Sequence, residues 1–205
     1  MLKLEEIVGL EVISSDAMIV GAVEGIGIDV NNWRVPALRV GLKKGIEAKV
    51  GKGKPVFSST RVMLKTSSVE NISDAVTMMD SVNQLPNAFI EQEDMLTAAD
   101  LLGKRVISKG AKQLGVIDNL IIEPEHDWSI SFIQVKLDKA SLDILNMRKS
   151  MLSSTPVIRL QTRDVRTVGD MVMLRISVEE IRDYLERRPK KESKEAMPVS
   201  EGLTL

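Results

Sequence analysis

Apolar and polar residues alternate over Leu38-Arg39-Val40-Gly41-Leu42 and again over Ile133-Gln134-Val135-Lys136-Leu137, the two-residue period of a strand with one buried face. A longer apolar run precedes each, VISSDAMIVGAVEGIGID from Val12 and VISKGAKQLGVIDNLIIE from Val106. Both runs open on Val-Ile-Ser, place a glycine nine residues after the valine (Gly21, Gly115), and carry one acid near the start of the hydrophobic stretch (Glu24, Asp118). Val23 and Ile26 stand three apart, as do Ile117 and Leu120, which breaks the strand period. Glu24-Gly25 and Asp118-Asn119 occupy that break and predict a β-bulge, the device that lets a small sheet curl.

The likeness extends along the chain. An offset of 94 matches Gly9 to Gly103, Val12 to Val106 and Gly21 to Gly115. After one-residue steps, Val62 and Leu64 match Ile158 and Leu160, and Asp74-Ala75-Val76 matches Asp170-Met171-Val172. Ser81-x-x-Gln84 falls on Ser177-x-x-Glu180, both in the capping-box form that opens a helix. The chain therefore reads as a tandem duplication of a mainly all-β unit: two small β-barrels of about five short strands, each with a short C-terminal helix or turn. The expected divisions are a first barrel at 1–86, a linker at 87–97, a second barrel at 98–188 and a disordered tail at 189–205, too poor in apolar residues to offset its ordering entropy.

The copies diverge in two places. After the shared capping box the second continues with Ile181, Tyr184 and Leu185 on one helical face, a candidate partner-binding surface, whereas the first meets Pro86, which turns a helix into a linker. Thr97 and Asp100 are spaced to cap a turn entering the second unit. Between the third and fourth strands the first copy has KKGIEAKVGKGK, read as a flexible basic loop. The second copy has Leu142, Leu145 and Leu152 there, the spacing of a short helix over a barrel end.

Composition removes several chemistries. With no cysteine there is no disulfide, thiolate nucleophile or thiolate metal site, and His126 is the one histidine. No stretch approaches the ~20 apolar residues of a membrane helix, and the opening MLKLEEIVGLEV lacks the pattern of a signal peptide, so the expectation is a soluble, cytoplasmic chain without membrane insertion. KVGKGK fails the spacing of a phosphate loop, and Gly25-Ile26-Gly27 is a lone G-x-G without the third glycine of a dinucleotide site. His126, among Glu123, Glu125 and Asp127, reads as a solvated turn. The recurring acids Glu24, Asp118, Asp74 and Asp170 fall one per repeat, which preserves turns rather than building an acid-base pair. No catalytic, cofactor or metal residues are expected. Lys43, Lys44, Lys49, Lys52 and Lys54 with Arg61 form the best basic patch, Lys49, Lys52 and Lys54 being candidate partner contacts, but the near-neutral net charge of −1 and the scarcity of aromatic residues argue against nucleic acid.

Leu101-Leu-Gly-Lys-x-Val106, then Leu114-Gly115-x-Ile117-x-Asn119-Leu120, then Val165-x-x-Val168-Gly169-Asp170-x-Val172 resemble the PRC-barrel domain, shared by the photosynthetic reaction centre H subunit and the ribosome maturation factor RimM. Gly9, Gly21, Asp74, Gly103, Gly115, Asp118, Gly169 and Asp170 are the fold-defining positions this resemblance implies. A chain of two such units is similar to the archaeal cell-division PRC-barrel proteins of the CdpB type. That resemblance implies a non-enzymatic adaptor at the division site, forming a homo- or heterodimer and binding a SepF-like FtsZ anchor and a PRC-barrel paralogue. The alternative it implies is an RNA- or ribosome-associated assembly factor like RimM.

Overall fold

The computed structural model describes residues 1–51, 60–91, 95–147 and 156–187. Its first half runs β1 (Leu2–Lys3), α1 (Leu4–Ile7), β2 (Glu11–Ile13), β3 (Ile19–Asp29), β4 (Arg34–Leu42), α2 (Ile46–Lys49), β5 (Arg61–Lys65), β6 (Val69–Ile72), β7 (Ala75–Met78) and β8 (Phe89–Ile90). The second half repeats the order as β9 (Leu96–Thr97), α3 (Ala98–Leu101), β10 (Arg105–Ile107), β11 (Gln113–Glu123), β12 (Ser129–Leu137), α4 (Lys139–Ile144), β13 (Val157–Gln161), β14 (Val165–Val168), β15 (Val172–Leu174) and α5 (Val178–Arg187). In each half a mixed sheet forms around the long hairpin β3-β4 or β11-β12, with β2 and β10 antiparallel to the long strand and parallel to β7 and β15.

The bulges lie where the broken period places them. Register slips between Val23 and Gly25 against β4 and between Ile117 and Asn119 against β12, leaving Glu24 and Asp118 as the extra residues. Gly21 and Gly115 are required by close approach. A Cβ at either would overlap the backbone carbonyl of Gly41 or Lys136 on the neighbouring strand. Gly9 and Gly103 have φ of +98° and +79°, closing the turn after α1 and α3 in the left-handed region.

The halves are joined by exchange. β1 pairs with β11 of the other half, Leu2 opposite Ile122 and Lys3 opposite Ile121. Reciprocally, β9 pairs with β3, Leu96 opposite Ile28 and Thr97 opposite Gly27. The helical turns follow their strands: α1 packs on β11 and α3 on β3, with Ile7 and Leu101 fully buried. Where the two hairpins meet, Arg34 pairs with its own counterpart Ser129, Ile130 N–H donates to Trp33 C=O at 2.7 Å and Val35 N–H to Trp128 C=O at 2.9 Å. These reciprocal registers define a pseudo-two-fold axis at the Arg34–Ser129 pair, and one hydrophobic cluster runs through both halves.

This corrects the expectation of two closed barrels. The described strands form one continuous mixed sheet, and no ladder closes either half into a barrel. A 3₁₀ turn at Thr66–Ser68 and another at Thr162–Asp164 swing β6 and β14 away from β5 and β13, while the pairing at the axis carries the sheet onward into the other half. The 87–97 segment is also strand at both described ends: β8 adds to β5, with Ile90 opposite Met63, and β9 adds to β3.

Two local expectations change as well. The loop expected at 43–54 contains α2, where Ile46 and the following Val50 are buried at helical spacing, as Leu142 and Leu145 are at α4. The shared need to cover the end of the sheet overrides the glycine content. α5 opens on the predicted capping box, with Ser177 N–H donating to Glu180 Oε2 at 2.7 Å and Glu180 N–H to Ser177 Oγ at 3.2 Å. Leu152 and the tail expected at 189–205 lie outside the described residues.

Candidate interaction surfaces

The recurring acids do not converge. Glu24, on its bulge, accepts from Arg61 Nε at 2.5 Å, and its backbone carbonyl accepts from Arg39 Nη2 at 3.2 Å. Asp118 accepts from Gln134 Nε2 at 3.0 Å within its own half. Asp74 and Asp170 are exposed at bends closed by the backbone itself, Ser73 N–H to Ala75 C=O and Gly169 N–H to Met171 C=O, both at 3.0 Å. His126 lies 3.9 Å from Glu123 in an exposed turn, and among the described residues no group of three or more His, Asp or Glu side chains is placed to hold a metal.

The helix face nominated for partners is largely spent inside the fold. Ile181 is fully buried beside Val178, and Tyr184 and Leu185 are half-buried. An amphipathic helix of ten residues has one apolar stripe, and α5 uses it to cover its own half. Lys49 is exposed on α2; Lys52 and Lys54 lie outside the described residues.

Two concave surfaces lie instead between the halves. One cleft, about 400 Å³, is formed by β6 of the first half against the turn that ends β11 of the second, over Leu2 and Trp128. The other, about 550 Å³, is formed by β14 of the second half against the turn that ends β3 of the first, beside Trp33. They are pseudo-symmetry mates: Val69, Glu70, Asn71 and Ile72 in the first correspond to Val165, Arg166, Thr167 and Val168 in the second. Their electrostatics are opposite. The first is lined by Glu70, Glu123 and Glu125 with no lysine or arginine, the second by Arg163, Arg166 and Arg175 with no acid.

Several interactions fix the walls of these clefts. Arg175 Nη2 donates to Val165 C=O at 2.8 Å, and Thr162 Oγ1 donates to Ile130 C=O at 2.7 Å, as Thr66 Oγ1 does to Val35 C=O at 2.8 Å. Asp29 shapes the turn by the basic cleft, accepting from Asn32 Nδ2 at 2.7 Å and Asn31 N–H at 2.9 Å. The Asn32 amide, followed by those backbone amides, holds the Asp29 carboxyl below the usual carboxylate range despite an opposing desolvation cost. Arg34 and Asp127 form an exposed ion pair across the axis between the clefts. Sequence reasoning missed both clefts, because each is assembled from residues roughly a hundred positions apart. The legible signal was the reversal of charge at Glu70 and Arg166 within an otherwise conserved register.

No family model matches the chain, and no curated protein matches it. Among solved structures it is similar to a putative 16S ribosomal RNA processing protein RimM from Pseudomonas aeruginosa, at 14% identity and a TM-score of 0.29, covering 77% of this chain and 98% of that one. At that score the likeness carries no argument about function. Among the described residues, no helix is long and apolar enough to cross a membrane.

Proposed function

We propose that the protein is a non-enzymatic adaptor that holds partners in the two clefts between its halves. The observation that carries this reading is the pair of symmetry-related clefts with opposite charge. Surfaces of opposite sign offer complementary fields to two different partners. The resemblance of Leu101–Val172 to the PRC-barrel domain, taken with the tandem arrangement of two such units, suggests a more specific role in archaeal cell division, with a SepF-like FtsZ anchor and a PRC-barrel paralogue as the partners. The test is a cross-linked pull-down of the tagged full chain from its native cells. Arg163→Glu/Arg166→Glu and Glu70→Lys/Glu125→Lys should each lose a different partner, and identical recoveries from both variants and wild type would sink the adaptor reading. Imaging the tagged protein in dividing cells tests the division role, which a diffuse signal would remove.

A second reading, association with RNA or ribosomal particles, is favoured by one observation, the three arginines and Trp33 of the basic cleft. It takes first place if ribosomal particles co-sediment with the wild type and are lost from Arg163→Glu/Arg166→Glu.

A further inference from the structure

The two halves treat the same sheet edge differently. In the first, Leu42 N–H donates to Thr60 C=O at 2.8 Å, so the backbone groups of Val62 and Leu64 turn inward to β4, and those of Arg61, Met63 and Lys65 turn outward. β8 takes up that outer edge, with Ile90 opposite Met63 and Phe89 opposite Leu64. In the second half, Leu137 N–H donates to Pro156 C=O at 3.1 Å, and the same parity turns Val157, Arg159 and Gln161 outward. The residues that follow the shared capping box there have become α5 rather than a strand, and among the described residues nothing pairs with the outer edge of β13. Val157 is 44% exposed on that edge.

We propose that the outer edge of β13 accepts an extended segment of a partner protein, antiparallel, with an apolar residue set opposite Leu160 and an acidic residue opposite Arg159. The first half supplies the template, since β8 shows what the equivalent edge holds when filled. Leu160 is the counterpart of Leu64 and is buried on the core face, so the residue opposite it must be apolar, as Phe89 is. On the other face buried Met63 is replaced by exposed Arg159, so the residue in the place of Ile90 faces a cation. An arginine on an open edge also repels basic segments and strands carrying the same charge, so the site excludes as well as selects. Strand addition of this kind draws affinity from main-chain bonds and specificity from alternate side chains.

This site is separate from the clefts, and its test does not depend on them. The probe is a fluorescently labelled peptide with the sequence of residues 85–92 of this chain, LPNAFIEQ, compared with its Ile90→Glu and Ile90→Lys forms by anisotropy against the full-length protein. The Ile90→Glu peptide should bind up to about fivefold more tightly than the parent peptide, and the Ile90→Lys form more weakly. Arg159→Pro removes an outward donor that the fold itself does not use, so it should abolish binding while leaving the circular dichroism spectrum unchanged. Arg159→Glu should invert the preference towards the Ile90→Lys peptide; this second variant decides the matter if the proline form does not fold. Arg163→Glu/Arg166→Glu should leave peptide binding as it was. No binding of any form at millimolar peptide, or an order of preference unmoved by Arg159→Glu, would overturn the proposal.

Discussion

The backbone N–H of Leu4 donates to Oδ1 of Asn119 at 3.1 Å across 115 residues of sequence. Asn119 is buried, and the same oxygen also accepts from Leu120 N–H at 2.9 Å, so one side chain satisfies the start of α1 and stabilises the bulge of β11 together. Asn119→Ala leaves a buried amide unpaired and should cost about 2 kcal/mol. For a chain of this size that is a fall of about 4–8 °C in melting temperature, read by calorimetry.

Deleting residues 1–7 should loosen the second half rather than the first. Those residues supply the strand beside Ile121 and Ile122 and the buried Leu4 and Ile7. Hydrogen exchange is the readout: amides of β11 near Ile121 should exchange faster in the truncated protein, while β3, covered by β9 and α3, keeps its protection.

Gly21→Ala and Gly115→Ala each set a methyl against a neighbouring carbonyl that belongs to a paired strand and cannot easily move. Each should cost about 2–3 kcal/mol. Gly9→Ala, where φ is positive but nothing crowds the position, should cost only about 1 kcal/mol. Urea denaturation of the three variants gives the ranking.

Asp29 and Asp100 contribute a pH-dependent share of stability. The side chain of Asn32 and the hydroxyl of Thr97, 2.6 Å from Asp100 Oδ2, are the first causes that hold these carboxyls below their usual range. A lowered folded value means that the contribution is fully present above the ordinary carboxylate pKa of about 3.9 and is lost as pH falls through the lowered one. Asp29→Asn/Asp100→Asn should therefore lower stability at neutral pH and flatten the acid limb of the stability profile.

Glu24→Gln is the contrasting case. Its ion pair with Arg61 is short, but Arg61 is half exposed, so the change should be below about 1 kcal/mol. A large loss in thermal melting would assign Glu24 more than a surface role.

The repeat, the bulges at Glu24 and Asp118 and the capping box at Ser177 were legible because each rests on neighbours within a few positions. The exchange of β1 and β9 was not. A two-residue strand carries no period, and nothing local indicates that Leu2 lies beside Ile122 instead of Ile28. Glycines masked α2, although Ile46 and Val50 stand at helical spacing. Ile181 was assigned to partners because an apolar stripe looks the same whether it faces a partner or its own core.

The Arg34–Ser129 axis has a genetic consequence. In a homodimer of one half, every substitution would be made twice, and a residue at the place of Glu70 would have the same identity in both grooves. Fusion into one chain frees each copy to vary alone. Glutamate at 70 can then coexist with arginine at 166, and a strand-covered edge at β5 with one at β13 that no described strand covers. The covalent connection thus turns a symmetric body into one with two distinguishable ends.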